Sequence, residues 1–228
     1  MAERADFAVI LPAAGRASRF GSDKLARGIA GRSVLEHSIR AFIDRPDVAI
    51  VVIACGEDRP LPEALTPHPK LARCRGGEHR ARSVLNGLRR LDELAVAAEY
   101  VAVHDAARPA VSQELIDRVF TAARREGAAV PGVAVTDTIK LVESGRVRQT
   151  LPRLELVAVQ TPQAMRRDWL VEAFASWPGA LAEVTDDVQL LEAAGKAVAV
   201  VEGEARNVKV TRGEDLEVLK RLLRPNKL

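Results

Sequence analysis

Aromatic residues are scarce: five Phe, two Trp and one Tyr make up 4% of the chain. A surface that stacks unpaired bases needs several exposed rings, so a single-strand binding platform is excluded. Cysteine is scarcer still. The two residues, Cys55 and Cys74, lack metal-ligand spacing and read as small apolar, reduced side chains of a cytoplasmic protein. Excess charge is also missing. With 34 Lys and Arg against 31 Asp and Glu, the net charge of +3 suits a small anionic ligand better than a nucleic acid. No apolar run reaches membrane-spanning length, and the opening "MAERADF" lacks the basic start and apolar core of a secretion signal. The four histidines, His37, His68, His79 and His104, show no paired spacing. His37 reads as a helix residue, and His104 as a packing or hydrogen-bonding residue at a strand end.

What is present is enough apolar material for a real core, 47% of 228 residues, arranged in alternating patterns. "FAVIL", "VAIVVIAC", "YVAV", "AAVPGVAV" and "AVAVVEG" read as strands. "SVLEHSIRAFI", "RARSVLNGLRRL" and "QELIDRVFTAARRE" read as helices, as do stretches around Trp169 to Ala175 and Val188 to Ala194. Ser33 with Glu36 predicts a capping box, Thr211 with Glu214 a second one, and Gly127 a helix stop. The arginines of "RARSVLNGL" are expected to face water on an amphipathic helix. The alternation predicts one α/β domain over residues 1–228, a mostly parallel sheet with helices on both faces. One segment interrupts it. "TDTIKLVESGRVRQTL" carries β-favouring runs about Ser144-Gly145, a hairpin that is either a dimerisation arm or a surface flap.

The first loop, "LPAAGRASRFGSDK", leaves a buried strand through small residues and then gathers Arg16, Arg19 and Lys24. Ala13, Ala14 and Gly15 let a backbone approach a flat or charged ligand, and exposed amides can donate to phosphate oxygens. The spacing is neither a Walker loop nor a dinucleotide fingerprint. Three cations so close together repel one another unless an anion of several charges lies between them, as a triphosphate would; a solvated basic loop is the plain alternative. Asp105 follows an apolar strand and precedes "AARP", where a strand end delivers a side chain into a cleft. Beside a triphosphate it is a candidate Mg²⁺ ligand; elsewhere it is a turn cap. For a second metal ligand, Glu204 is one candidate, with a plain surface role as the alternative.

Seven segments, "LPAAGRASRFG", "GGEHRARSV", "VHDAARP", "VTDTIK", "QTPQA", "VTDDVQLLEAAG" and "EGEARNVKVTRGEDL", together resemble the 2-C-methyl-D-erythritol 4-phosphate cytidylyltransferase family, in its order and over almost the whole chain. The resemblance implies a Rossmann-like nucleotidyltransferase fold, a homodimer locked by a β-arm at about residues 137–156, and CMP transfer from CTP to methylerythritol phosphate with Mg²⁺. It places Ala13, Ala14, Gly15, Gly77, Glu78 and Ser83 around the cytidine. It gives Arg19, Lys24 and Lys209 to the triphosphate and Asp105 to the metal. Arg108, Thr138, Arg153 and Thr185 fall to the sugar phosphate, with Thr138 and Arg153 reaching across from the partner. The first loop departs from the family pattern at Ala17, Asp23 and Leu25, and Asp23 adds a negative charge beside the phosphate site. Two other readings stand beside this one: a cytidylyltransferase for another polyol phosphate such as ribitol 5-phosphate, and a catalytically silent nucleotide-binding regulator.

Overall fold

The computed structural model describes residues 5–15 and 23–223. The strand β1 (Phe7–Pro12) lies at the centre. Its residues alternate between two cores, Phe7, Val9 and Leu11 entering one, Ala8 and Ile10 the other. This is the period of two that a strand buried on both faces imposes. A short ribbon, β2 (Gly28–Ile29) with β3 (Arg32–Ser33), leads into α1 (Val34–Ile43). There Ser33 Oγ accepts from the Glu36 N–H at 3.1 Å. The expected reciprocal bond is replaced by an ion pair from Glu36 to Arg40 at 2.9 Å.

The chain continues through β4 (Val48–Cys55), β5 (Leu71–Arg75), α2 (Arg80–Glu93) and β6 (Tyr100–Val103). Then follow α3 (Gln113–Glu126) and β7 (Ala128–Ala134), and the hairpin β8 (Lys140–Glu143) with β9 (Arg146–Thr150). It closes with β10 (Val157–Val159), β11 (Gln163–Arg166), α4 (Arg167–Ser176), α5 (Asp187–Ala193), β12 (Ala199–Glu202) and α6 (Gly213–Leu222). Ile39 of α1, Ile116 of α3 and Leu219 of α6 pack into the core on one face of the sheet. Val84 of α2, Leu170 of α4 and Leu190 of α5 fill the core on the other.

The strand order is β10-β7-β11-β6-β1-β4-β5, with β12 beside β7. The β1, β4, β5 and β6 strands are mutually parallel, as is the β7–β12 pair. Antiparallel β11 and β10 extend this parallel core. They follow the inserted hairpin, and that connection needs no crossover helix to restore the direction. From β1 the chain steps outward through β4 and β5, then returns through α2 to place β6 on the other side of β1. A crevice forms at the carboxyl ends of strands where the winding reverses in this way.

The hairpin forms as expected, with φ of 50° at Ser144 and 75° at Gly145. Two positive φ values suit a tight turn between twisted strands. The expected cap of the last helix is off by one residue. Asp215, not Glu214, reaches back to the N–H groups of Thr211 and Arg212, both at 2.7 Å, because its carboxylate lies one helical turn beyond them.

Candidate active site

At the carboxyl ends of β1, β4, β5 and β6 the structure opens a cavity of about 160 Å³. One wall is Ala13-Ala14-Gly15, leaving β1; the facing wall is Gly77-Glu78-His79, leaving β5. The loops touch through Gly76, where a Cβ would come within 2.1 Å of the Ala14 Cβ. Only glycine permits this approach. Ser83 stabilises the second loop, its Oγ accepting from the Gly77 N–H at 3.0 Å and donating to the His79 carbonyl at 3.3 Å. Lys24, from the next turn, and Lys209, from the segment before α6, also line the cavity. Lys24 Nζ donates to the Val210 carbonyl at 2.8 Å, so both lysines meet at the C-terminal segment.

Asp105 forms the floor. Its Oδ1 faces Arg80 Nε at 3.2 Å, and its Oδ2 faces Lys209 Nζ at 2.9 Å and Arg108 Nε at 3.4 Å. Burial by itself would raise this carboxyl, but the three cations hold it well below the usual carboxylate range. Arg80 in turn bridges to Asp187 Oδ2 at 2.7 Å. Burial opposes its charge, and the two carboxylates more than reverse that, keeping the guanidinium charged.

Behind the floor, the hydrogen-bond network fixes the tautomer of His104. The Arg108 carbonyl can only accept, so the ring's N–H is Nε2 and the bare Nδ1 accepts the Thr161 hydroxyl proton at 3.1 Å; Thr161 Oγ1 also accepts from the Asp105 N–H at 3.0 Å. The Nε2–H donates to that carbonyl at 3.1 Å. Burial pushes this imidazole down to about 4, so it is neutral and structural.

Comparison with known proteins gives this cleft a family. Residues 7–224 match the family described as IspD, 2-C-methyl-D-erythritol 4-phosphate cytidylyltransferase. The chain belongs to the IspD family. It is 40% identical over 228 residues to the Bacillus cereus enzyme of that name, covering 97% of this chain and 99% of the relative. It is also 42% identical over 225 residues to the bifunctional enzyme IspD/IspF of Rhodospirillum rubrum, where the match takes 96% of this chain but spans only 58% of the relative. The crystal structure of the Thermus thermophilus cytidylyltransferase superposes with a TM-score of 0.78 at 37% identity, covering 94% of this chain and 97% of that one. These matches favour the methylerythritol phosphate reading, and neither the ribitol phosphate reading nor the silent regulator gains an observation of its own.

Nine of the residues singled out from sequence line the IspD cavity: Ala13, Ala14, Gly15, Lys24, Gly77, Glu78, Ser83, Asp105 and Lys209. Arg19 lies outside the described residues, as does Ala17. Arg108 stands behind Asp105, its Nη1 donating to the Asn207 carbonyl at 2.7 Å, and does not line the cavity. Thr185 is held by Gln189 Oε1, 2.7 Å from its N–H and 3.0 Å from its hydroxyl. Thr138 and Arg153 sit on the exposed arm, where Arg153 donates to the Thr136 carbonyl at 2.7 Å. None of these three lines the cavity of its own chain.

Two expectations need correction. Glu204 does not face the site: it accepts from Ser112 Oγ at 2.7 Å and pairs with Arg118 at 2.9 Å. Asp23 does not leave an open negative charge beside the cleft, because Arg59 Nη1 meets it at 2.6 Å and its other oxygen caps the Leu25 N–H. Sequence reasoning also missed Arg80 and its partner Asp187. Arg80 was expected to face water with the other arginines of α2, yet its side chain is only 22% exposed. Its place as the first residue of α2, directly after the glycine loop, was the available signal.

Proposed function

We propose that this cleft joins CTP to 2-C-methyl-D-erythritol 4-phosphate, a phosphate oxygen of the sugar attacking the α-phosphorus while the bridging bond to the β-phosphate breaks and its electron pair leaves with pyrophosphate. The observation that carries this reading is the convergence of Lys24, Arg80 and Lys209 on Asp105 and the two small-residue loops. A phosphate monoester is largely ionised near neutral pH, so the attacking oxygen needs no general base. The buried, neutral His104 fits that economy.

The work left to the protein is positioning and charge stabilisation. The loops Ala13-Ala14-Gly15 and Gly77-Glu78 bring backbone donors and acceptors to the cytosine edge. Lys24 and Lys209 sit against the triphosphate, with Arg19 expected to join them. Lys24 stabilises mainly the leaving oxygen, whose charge grows only as the bond breaks.

The donor set fits Mg²⁺. A carboxylate can accept more contacts than the three Asp105 now makes, and Mg²⁺ commonly takes one or two protein carboxylates plus substrate phosphates. Asp105 would hold the ion, which supplies neutralisation of the triphosphate charge when bound. Among the described residues no cluster of three or more acidic, His or Cys side chains offers a larger cage.

The sugar phosphate would lie against Arg108 and Thr185, with Thr138 and Arg153 supplied by a second copy of the chain in a homodimer. The arm supports that assembly with an exposed apolar row: Leu154 is 96% exposed, Val147 64% and Val142 56%. Such a surface calls for a partner. Two free cysteines, and the lack of a membrane-spanning helix among the described residues, fit a cytoplasmic enzyme.

The test is pyrophosphate release by purified protein with Mg²⁺ and each pairing of nucleoside triphosphate with methylerythritol phosphate or ribitol 5-phosphate. Release should require CTP and methylerythritol phosphate together, and Asp105→Asn should reduce it by about 100-fold or more. Release with ribitol phosphate alone, or with no pair, overturns the reading.

A further inference from the structure

Asp187 opens α5 fully buried, at 0% exposure, and does not line the cavity. Its Oδ2 accepts from Arg80 Nη1 at 2.7 Å, while Oδ1 has no partner. The backbone that carries this carboxylate is held by β11. Gln163 Oε1 on β11 accepts from the Asp187 N–H at 2.9 Å, and Gln163 Nε2 donates to Asp186 Oδ2 at 2.9 Å. Asp186 is thus tied to a strand of the central sheet through its carboxylate, and Asp187 through its backbone N–H.

Burying a carboxylate against one guanidinium is a poor way to stabilise a fold, since desolvation offsets most of the attraction. A geometric task explains it better. The guanidinium is planar, so fixing its Nη1 end on Asp187 fixes the direction of its Nε–H. That N–H points at Asp105 Oδ1, 3.2 Å away.

We propose that Asp187 is a positioning residue for nucleotidyl transfer: through Arg80 it sets the orientation of the Asp105 carboxylate on the cleft floor, though it touches neither substrate. Lys209 and Arg108 grip the other oxygen of Asp105. Arg80 is what meets Oδ1, so without Asp187 the carboxylate swings about its Oδ2 contacts. The inference rests on the cytidylyltransferase reading.

The unpartnered Oδ1 makes Asp187→Asn a clean probe. The NH₂ group can take the empty side, while the neutral amide oxygen loses the charge-assisted bond that anchors Arg80 Nη1, so the anchor is loosened with little change in side-chain size. Turnover should fall about 10- to 100-fold while KM for CTP stays within about 2-fold, the result of a misplaced group rather than lost binding. If Asp187 acts only through Arg80, adding Asp187→Asn to Arg80→Gln should lower turnover no further. A merely structural role would lower Tm and leave the turnover of folded protein unchanged, and that outcome overturns the proposal, as do independent, multiplying effects of the two substitutions. A second readout needs no activity. Crystals of Asp187→Asn should show Arg80 Nε displaced from Asp105; an undisturbed contact refutes the inference even if the wild-type chain proves inactive with CTP.

Discussion

Acid should weaken this fold, and the buried His104 is one cause. Its ring is completely buried and held between Thr161 and the Arg108 carbonyl, with its pKa lowered from 6.5 to about 4 by burial. Above pH 6.5 the ring is neutral in both folded and unfolded chains, and its contribution to stability is fully present. As pH falls from 6.5 toward 4 the unfolded chain takes up a proton that the folded chain refuses, so stability is lost. At roughly 1.4 kcal/mol for each pH unit, the interval from 6.5 to about 4 amounts to about 3 kcal/mol. That is a large share of a typical domain's 5–15 kcal/mol, quoted as a rough range. Urea unfolding at about pH 7, 6 and 5, compared with His104→Gln, isolates the effect, because glutamine keeps an amide donor but does not titrate. The wild-type curve should fall toward the variant's as pH drops. If the two change in parallel, His104 is not held neutral by the fold and the hydrogen-bond assignment behind Asp105 is wrong. The consequence reaches the site, since the Thr161 hydroxyl that serves His104 also accepts the Asp105 N–H at 3.0 Å.

Two further expectations concern the chemistry. Lys24→Ala should lower turnover by about 100-fold while changing KM for CTP only a few-fold, because its charge matters most as the leaving oxygen develops; an unchanged turnover with a raised KM would remove Lys24 from the transfer step. If Arg153 serves the partner's cleft, Arg153→Ala and Lys24→Ala proteins should each be nearly inactive alone and recover activity when mixed and allowed to exchange subunits. Failure of mixed protein that has demonstrably formed heterodimers would place Arg153 outside the partner's site.

Local spacing along the chain was enough to mark the six longer helices, the hairpin and five strands, through alternation for a strand, a repeat near four for a helix and Ser-Gly for the turn; the edge strand β5 and the short antiparallel strands β10 and β11 carry no such signal and appear only in the sheet. The sequence also determined which loops matter. "AAG" and "GGE" carry small residues where the two loops meet, and at Gly76 even one methyl group would collide with the Ala14 side chain. What the charges do is settled by packing in three dimensions. Arg80 looks like any exposed arginine of an amphipathic helix until the sheet brings Asp105 and Asp187, residues 25 and 107 positions away, within hydrogen-bond reach. Asp23 looks like a liability until Arg59, 36 positions on, neutralises it. Periodicity is carried by neighbours along the chain and can be read there. A charge is paired, buried or left facing a cleft by residues that are neighbours only in space.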